Sequence, residues 1–321
     1  MSSHAKVGAH TEIKPFFRYH LLPQLFFFTM GIPKGSIVSV DVTDQCNLRC
    51  HHCYFFEQEQ EGVLDLEGWK RRLLEFKRKY RFLYGCTWVG GEPLLRKDII
   101  EYNKKLFLHN LIVTNGTLPL PDWPEVYFHL SIDGNEEIHE RIRRQRGLYP
   151  LMKKNIARDN LHVTAAMCLT SANFHTIEEV LEDWYASKLL KGFLFDFYTP
   201  IQGLDDGLFV GWSKRDEVID KLIDLKRKKY GNFIALPERV LELMKSHNSK
   251  KVTDHCLFEK KAFSLTTQGA VKEKCMLGPK SDCDRCGCVV PFYLHNRADK
   301  RTIVKSSWTE ARLRLRRVLG R

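Results

Sequence analysis

Several features are scarce in this sequence of 321 residues, and each absence excludes some classes of protein. Nothing in it is repeated or of low complexity, and hydrophobic residues make up 43%, which is enough for a substantial core. The apolar stretch at residues 21–32 is interrupted by Pro23, is too short to span a bilayer and is followed by no small-residue cleavage site. A disulfide framework of the kind found in small secreted proteins is therefore not expected from the ten cysteines. We expect a protein of a reducing, cytoplasmic compartment, whose clustered cysteines bind metal.

Acidic residues are outnumbered by basic ones. Asp and Glu total 39 against 51 Lys and Arg, which gives a formal net charge of +12. This excess favours anionic partners such as nucleic acid, a lipid headgroup surface or a phosphorylated substrate. Basic surfaces also serve solubility alone, so the charge by itself selects no partner.

Apolar runs typical of strands alternate with amphipathic, helix-like segments between Gly35 and Gly231. Residues 37–42 and 193–197 are the first and last of these strands, and residues 66–80 form the first helix. This alternation predicts parallel βαβ units with right-handed crossovers. About six units fit, too few for a closed eight-stranded barrel. The sequence therefore predicts an α/β fold with a partial (β/α)6 TIM-like barrel at residues 36–235, after an aromatic-rich extension at residues 1–35.

The alternation stops at about Leu236. Residues 236–298 are predicted to form a small, cysteine-rich, cluster-binding module, and residues 299–321 a basic amphipathic tail. Within the module, two strand-like segments at residues 263–266 and 270–274 flank Thr267-Gln268-Gly269. That arrangement predicts a β-hairpin.

Three cysteines, Cys46, Cys50 and Cys53, fall in one loop directly after the first predicted strand. Thiolates are soft ligands that suit iron–sulfur clusters and zinc. Three of them can hold three corners of a cubane and leave the fourth iron free for an exogenous ligand. A structural zinc site would need a fourth ligand, which His51 or His52 could supply only in a cramped loop. The C-x3-C-x2-C spacing favours iron–sulfur and leaves zinc open.

A second motif, Gly90-Gly91-Glu92-Pro93, follows the second predicted strand. Its glycines let the backbone approach a ligand closely and its proline stiffens the exit, although an isolated GGEP is also an ordinary tight turn. Together the cysteine loop and this turn resemble the radical S-adenosylmethionine (radical SAM) superfamily, over roughly residues 35–198. The resemblance implies a [4Fe–4S] cluster on Cys46, Cys50 and Cys53, with the amino and carboxylate groups of S-adenosylmethionine on the fourth iron. One-electron cleavage would then give methionine and a 5′-deoxyadenosyl radical, which abstracts a hydrogen atom from a substrate.

The resemblance also implies which residues contact S-adenosylmethionine. The turn at 90–93 would receive the methionine amino group, while Thr114-Asn115-Gly116 and Ser131-Ile132-Asp133-Gly134 would border the adenosine. The candidate cofactor-binding residues are thus Gly90, Gly91, Glu92, Pro93, Asn115, Ser131 and Asp133, with Ser131 as the favoured ribose or carboxylate contact. Asn-Gly and Asp-Gly are also good turn formers in their own right.

Some residues depart from the family or are open to a structural interpretation. The position before the third cysteine is often Tyr, Phe or Trp in the family, and here it is His52. One of Arg141, Arg143 and Arg144 could reach the methionine carboxylate, but we expect solvated arginines on a helix face.

Two cysteines stand alone inside apolar runs. Cys168 lies in phase with Thr164 and Ala166 on a predicted strand. If that face points into the barrel, its thiol could return a hydrogen atom to a substrate radical. A small buried hydrophobe is the expected role. Cys86 is expected in the core.

Five cysteines cluster late, in the pattern C-x18-C-x7-C-x2-C-x-C. This density indicates metal binding without identifying the metal, and zinc on four of them stays an alternative. The order of a cysteine, a Gly-turn hairpin, a cysteine and C-x2-C resembles the twitch or SPASM extension of radical SAM enzymes. The resemblance implies one auxiliary [4Fe–4S] cluster. The preferred ligands are Cys256, Cys275, Cys283 and one of Cys286 or Cys288.

Both ends of the sequence carry apolar faces. Ser307-Trp308-Thr309-Glu310 is a capping box that opens a terminal helix with most of its arginines away from its apolar face. This helix could lie on an anionic membrane surface, although packing on the barrel as a lid is favoured. The Phe- and Leu-rich segment at residues 16–32 has the same two interpretations, so peripheral membrane contact stays open.

Among the substrates of the family, the sequence does not choose between a peptide, a lipid and a small metabolite. The twitch-like module favours a peptide, and the apolar ends favour a lipid. A reductase or a flavodoxin- or ferredoxin-type electron donor is implied as a partner. The competing hypothesis is a non-catalytic iron–sulfur or zinc protein that binds nucleic acid through its basic surface. It leaves the GGEP turn at a strand end unexplained, so nucleic acid is not the expected partner.

Overall fold

The computed structural model describes residues 33–58, 62–157, 160–204 and 206–298. The strands are β1 (Ile37–Asp41), β2 (Gly85–Val89), β3 (His109–Thr114), β4 (Tyr127–Ser131), β5 (His162–Leu169), β6 (Phe193–Phe197) and β7 (Ala262–Leu265). The α-helices are α1 (Leu66–Lys79), α2 (Lys97–Asn103), α3 (Glu136–Arg143), α4 (Leu148–Ile156), α5 (Ile177–Ser187), α6 (Trp212–Leu225), α7 (Glu238–Leu243), α8 (Ser246–Thr253), α9 (Leu257–Lys261) and α10 (Val289–Ala298). Within these ranges, no helix is both long and apolar enough to cross a membrane.

The strands form one parallel half-barrel in the order β6-β5-β4-β3-β2-β1-β7. Strands β1 to β6 follow one another across the sheet, which confirms the expected α/β partial barrel. Alternate side chains of each strand face opposite sides of the sheet. Val38, Val40 and Trp88 are fully buried against the outer helices, where Trp69 and Leu73 of α1 belong to the same core. The residues between them point into the concave face, where the parallel strands present their carboxyl ends to one shared rim.

The seventh strand was not expected in the barrel. Strand β7 comes from the cysteine-rich region and pairs in parallel with β1, Ile37 opposite Ala262 and Val40 opposite Leu265. The expected hairpin also forms, because Leu265 bridges Val271 in an antiparallel manner. The first arm of the hairpin is therefore also the edge strand of the sheet, and the region at 236–298 shares the sheet of residues 36–235.

Helix α10 lies across the open side of the half-barrel. At its beginning, the Val289 N–H donates to Asp196 Oδ1 on the inner face of β6 at 2.6 Å. Further along, Leu294 packs in one cluster with Ile37 of β1 and Ala262 of β7. The helix thus connects the two edges of the sheet and covers the interior between them.

The expectations for the two ends of the chain lie outside the described residues. These are the aromatic-rich segment, apart from residues 33–35, and the basic tail at 299–321.

Candidate functional site

The loop that follows β1 carries Cys46, Cys50 and Cys53, whose side chains are all partly exposed. The Leu48 N–H points at Cys46 Sγ, with nitrogen and sulfur 3.4 Å apart, and the backbone amides that follow Cys53 donate to its sulfur. Burial raises the pKa of the Cys46 and Cys53 thiols, and these donors act in the opposite direction. Donors to sulfur stabilise the thiolate that iron binds, so the loop fits an iron–sulfur cluster on chemical grounds.

The GGEP turn after β2 holds this loop in place. The Gly91 N–H donates to the Thr43 carbonyl at 2.9 Å, and the N–H of the next residue donates to the Gln45 carbonyl at 2.8 Å. A Cβ atom on Gly91 would stand 2.0 Å from the Gln45 carbonyl oxygen, and one on Gly90 2.6 Å from the Thr43 oxygen. Gly90 also has a φ of +121°, a backbone angle that residues with a side chain rarely adopt. The close backbone approach expected toward a ligand is thus made, in the protein itself, toward the cysteine loop.

Glu92 is almost fully buried, and its carboxylate is used within the protein. Oε1 accepts hydrogen bonds from Leu94 N at 3.0 Å and Thr114 Oγ1 at 2.8 Å, and Oε2 accepts one from Asn115 N at 2.8 Å. Burial raises the pKa of Glu92, against the effect of these donors. The carboxylate therefore joins the end of β2 to the end of β3, a bond that no sequence motif indicated.

Asn115 lies against the cysteine loop. Its Nδ2 donates to Asn47 Oδ1 at 3.0 Å and lies 3.8 Å from Cys46 Sγ, while its Oδ1 accepts from Thr117 Oγ1 at 2.6 Å. The expected position at the rim of the half-barrel is found, but the amide group is used to orient the loop.

A buried charged network lies under the same loop. Asp133 follows β4 and is 0% exposed, and its Oδ2 accepts from Arg143 Nε at 2.6 Å and lies 3.3 Å from His52 Nε2. Arg143 Nη1 also lies 3.7 Å from Cys50 Sγ. Burial opposes the charge of Asp133, but Arg143 and His52 together hold the pKa of Asp133 well below its usual range. Burial likewise opposes the charge of Arg143, and Asp133 and Cys50 outweigh it and raise the pKa of the guanidinium.

Helix α3 positions Arg143. The helix begins at Asn135, whose side chain accepts from Ile138 N at 3.1 Å, and it ends where Arg144 turns into the left-handed region at φ 58°. Arg141 and Arg144 are exposed as expected, whereas the side chain of Arg143 is 11% exposed. The expectation of a solvated arginine is therefore wrong for Arg143. The one sequence signal was His52, whose imidazole stands where the family often has Tyr, Phe or Trp and gives Asp133 a second partner.

Further candidate residues face the interior of the half-barrel. Ser131 ends β4 on its inner face, while Cys168 of β5 and Asp196 of β6 are direct neighbours in the sheet register. Burial raises the pKa of the Cys168 thiol well above its usual value and that of the Asp196 carboxyl to about 6. The inward orientation on which the hydrogen-donor idea for Cys168 depended is present. Cys86 lies in the core as expected, at 1% exposure.

The late cysteines gather around one small cavity. Its lining includes Cys275, Cys283, Cys286 and Cys288, together with Thr199 and Pro291. Cys256 lies at the N-terminus of α9 and is within electrostatic range of Cys275, Cys283 and Cys286. In the described part of the chain, no three His, Cys, Asp or Glu side chains are arranged to hold a single metal ion.

A buried ion pair lies between the first cysteine group (Cys46, Cys50 and Cys53) and the second cysteine group, which is the five late cysteines. Lys272 Nζ pairs with Asp41 at the end of β1, and the two side chains are 5% and 2% exposed. Lys272 Nζ also donates to Gln58 Oε1 at 2.8 Å and to the Met276 carbonyl, next to Cys275, at 3.2 Å. Burial raises the pKa of Asp41, and Lys272 opposes that effect. Neither residue was predicted, because a pairing across about 230 residues of sequence has no local signature.

Comparison with protein families places this arrangement. Residues 40–184 match the model of the radical SAM superfamily. A curated relative, the cysteine-type anaerobic sulfatase-maturating enzyme of Clostridium novyi, is 28% identical over 249 residues, covering 67% of each chain. The match covers only 32% and 37% of the length of the next two curated relatives.

Two solved structures share the fold. Streptococcus suis SuiB bound to its precursor peptide SuiA aligns with a TM-score of 0.58 at 13% identity, over 88% of this chain and 69% of SuiB. In the S-adenosylmethionine-bound SuiB structure the alignment covers 62% of the SuiB chain. The enzyme anSMEcpe with bound AdoMet and the Cp18Cys peptide aligns with a TM-score of 0.55 at 17% identity, over 84% of this chain and 83% of that one.

Proposed function

Because residues 40–184 form a radical SAM domain, we propose that this chain is an enzyme that abstracts a hydrogen atom from a peptide substrate. The observation that carries the proposal is the seating of Cys46, Cys50 and Cys53 in one loop at the carboxyl ends of the parallel strands. In α/β barrels this rim is where substrates and cofactors meet. Thr199, just past the carboxyl end of β6, lines the cavity of the late cysteines.

In this proposal Cys46, Cys50 and Cys53 hold the [4Fe–4S] cluster. When bound, the reduced cluster and S-adenosylmethionine supply a 5′-deoxyadenosyl radical. The residues of this chain provide orientation, and the Gly90–Pro93 turn and Ser131 are the proposed contacts of the methionine and ribose groups. Glu92 and Asn115 support these contacts through the loop rather than by touching the cofactor, since their polar atoms are bonded within the protein. Asp133 likewise acts through Arg143 and His52.

Residues 236–298 are proposed as the auxiliary module, with one [4Fe–4S] cluster among the late cysteines. Four of these thiols line a single cavity, which is the feature that favours a shared group. The module supplies α10 and β7, so it forms part of the wall around the interior of the half-barrel. Zinc in this cavity is the alternative, and iron and zinc analysis of the isolated protein separates the two.

A peptide is the proposed substrate class because SuiB and anSMEcpe, which share the fold over most of this chain, are described with bound peptides. A lipid and a small metabolite remain the competing classes.

Cys168 is proposed as a hydrogen donor to the substrate radical. Its side chain faces the interior between Asp133, beside the first cysteine group, and Asp196, beside the second. Replacing it by alanine should leave formation of 5′-deoxyadenosine intact and change the product formed from the substrate.

The first test is 5′-deoxyadenosine formation by anaerobically reconstituted protein, with dithionite as reductant and Cys50→Ala as control. We expect formation by the wild type alone. A wild-type protein with a fully loaded cluster that neither binds nor cleaves S-adenosylmethionine would contradict the proposal. Salt-dependent binding of RNA or DNA by that protein would support the non-catalytic alternative.

The second test identifies the substrate class. Peptide, lipid and small-metabolite fractions are prepared from source cells grown in deuterated medium and incubated with the reduced enzyme. We expect deuterium in the 5′-deoxyadenosine only with the peptide fraction, because the abstracted atom stays on the nucleoside. Transfer from the lipid fraction alone would overturn the peptide proposal and leave the radical chemistry standing.

A further inference from the structure

A buried arginine lies beside the second cysteine group. Arg215 of α6 is 0% exposed, and its Nη1 donates to the Cys286 carbonyl at 2.9 Å. Its Nε and Nη2 have no hydrogen-bond partner. The guanidinium stacks over the rings of Phe197 and Trp212, at 4.7 and 4.8 Å from their centroids.

No carboxylate in the described part of the chain forms an ion pair with Arg215, although burial of an unpaired charge is costly. A guanidinium is not deprotonated in proteins, so Arg215 carries its positive charge. The rings of Phe197 and Trp212 partly offset the cost of burying this charge through cation–π contacts. Three unused N–H bonds, one on Nε and two on Nη2, and a charge without a carboxylate partner next to Cys286 indicate that an anionic group belongs there.

The neighbouring Cys288 has the opposite environment. The Val289 N–H donates to Asp196 Oδ1 at 2.6 Å, so a carboxylate is bonded to the residue directly after Cys288. A thiolate is stabilised near a cation and destabilised near a carboxylate. The two cysteines are only two residues apart, yet the structure gives them environments of opposite charge.

The backbone between the two cysteines is fixed, so neither can exchange its environment for the other. The Gly287 carbonyl accepts from Phe197 N at 2.9 Å, and the Gly287 N–H donates to Thr199 Oγ1 at 2.8 Å. A Cβ atom on Gly287 would lie 1.9 Å from the Phe197 carbonyl oxygen. Glycine is required there because the segment is held directly against β6.

We propose that Cys286, with Cys256, Cys275 and Cys283, is the fourth ligand of the auxiliary cluster, and that Arg215 is its buried counter-charge. Cys288 lines the same cavity but is then not a ligand, and it stays next to the Val289 N–H that Asp196 accepts from. A [4Fe–4S] cluster bound by four thiolates carries net negative charge, which matches the charge and the free donors of Arg215. This inference rests on the proposed auxiliary cluster and specifies its ligands.

The test uses the full chain with Cys46, Cys50 and Cys53 changed to alanine, so that only the auxiliary site can bind iron. We expect about four irons per chain in this background after anaerobic reconstitution. Adding Cys288→Ser should retain them, while adding Cys286→Ser should remove most of them. The measurement is iron and sulfide content with electron paramagnetic resonance of the reduced cluster, and circular dichroism checks the fold of each variant.

The outcomes separate the two proposals. Loss of iron in Cys288→Ser with retention in Cys286→Ser would overturn the ligand assignment, and retention in both would show that neither thiol is required. Absence of iron from the background protein itself would overturn the auxiliary cluster, and the assignment with it. The cluster on Cys46, Cys50 and Cys53 is measured in the wild-type chain, so that result would not contradict the proposed radical chemistry.

Arg215 is tested in the same background through the reduction potential. We expect Arg215→Gln to shift the potential of the auxiliary cluster to a more negative value and to weaken iron retention about tenfold, as for other residues that support a metal site without binding it. Arg215→Lys keeps the charge and should retain most of the potential, a rescue that a purely structural role would not produce. An unchanged potential in a folded Arg215→Gln protein would contradict the counter-charge role.

Discussion

The two cysteine groups are held in different ways. The first lies in one loop that backbone and side-chain hydrogen bonds fix from both sides, through Gly91, Asn115 and the buried Asp133 network. The second is assembled from residues 256–288 around a cavity, and a lone buried cation lies beside it. A preformed loop can present three thiols and leave one iron free for a cofactor. A cavity lined by more thiols suits a closed site, in which all positions of the metal group are taken by protein.

The largest expected effect comes from disrupting the close contact between the GGEP turn and the loop of the first cysteine group. Gly91→Ala puts a methyl group 2.0 Å from the Gln45 carbonyl oxygen, so the cysteine loop must move. We expect iron binding by the first group and 5′-deoxyadenosine formation to fall about 10- to 100-fold, while the auxiliary iron stays. Gly211→Ala is the matched control, because no atom lies within 4 Å of the added carbon. Equal activity of the two variants would mean that the GGEP turn does not seat the loop.

The next effect comes from the charge network below the first group. Asp133→Asn leaves the buried Arg143 without its partner, which should lower the free energy of unfolding by about 3–5 kcal/mol. The exposed pair of Lys214 and Glu217 is the control, and Glu217→Gln should cost about 0–1 kcal/mol. Urea denaturation of the metal-free proteins measures both. Similar losses for the two variants would show that burial of the network adds nothing.

The connection between the two groups is tested by a double-mutant cycle. Lys272→Met leaves Asp41 buried without a partner and should cost about 3 kcal/mol. The double variant Asp41→Asn with Lys272→Met should recover most of that loss, because no unpaired charge is left. Costs that simply add, with no recovery, would rule out a direct interaction between the two side chains.

The smallest effect is expected at His52. His52→Phe introduces a side chain that is common at this position in the family and removes the contact with Asp133. We expect a loss of about 1 kcal/mol in stability with iron content unchanged, because Arg143 still neutralises the carboxylate. Iron analysis and thermal unfolding measure the effect. Loss of the first cluster in this variant would mean that His52 has a larger part in holding the loop than its one contact indicates.

The fold was predictable where the pattern is local. Strands β1 to β6 are short apolar runs, and an α-helix lies between each successive pair except β3 and β4. Strand β7 has only four residues and lies where the alternation has stopped, so nothing local assigns it to the sheet. The hairpin was predicted from its turn, because a turn depends on neighbouring residues, whereas pairing with β1 depends on residues more than 200 positions away.

In the candidate site, too, the local features were predicted and the contacts between distant residues were not. The cysteine loop and the GGEP turn were identified from spacing, because ligands of one group must lie close in the chain or at neighbouring strand ends. The buried charges were missed at Arg143, Asp41 and Lys272, since a charged residue in sequence looks like a solvated one. Arg215 did carry a signal, as it shares the buried face of α6 with Val218, Ile219 and Leu222. A charge in phase with an apolar helix face is therefore worth noting before a structure is known.

Strand β7 has a consequence for how the protein is made. Strand β1 leaves the ribosome more than 200 residues before its outer neighbour, residues 262–265. During synthesis the backbone groups of β1 on that side have no strand to pair with, and unpaired edges are templates for association with other chains. Chains that stop before residue 262 keep this edge permanently, so they should aggregate even though six strands of the sheet are complete. Strand β7 follows Cys256 but precedes Cys275, Cys283, Cys286 and Cys288, so the edge of β1 can be covered before most of the second set of thiols has been added.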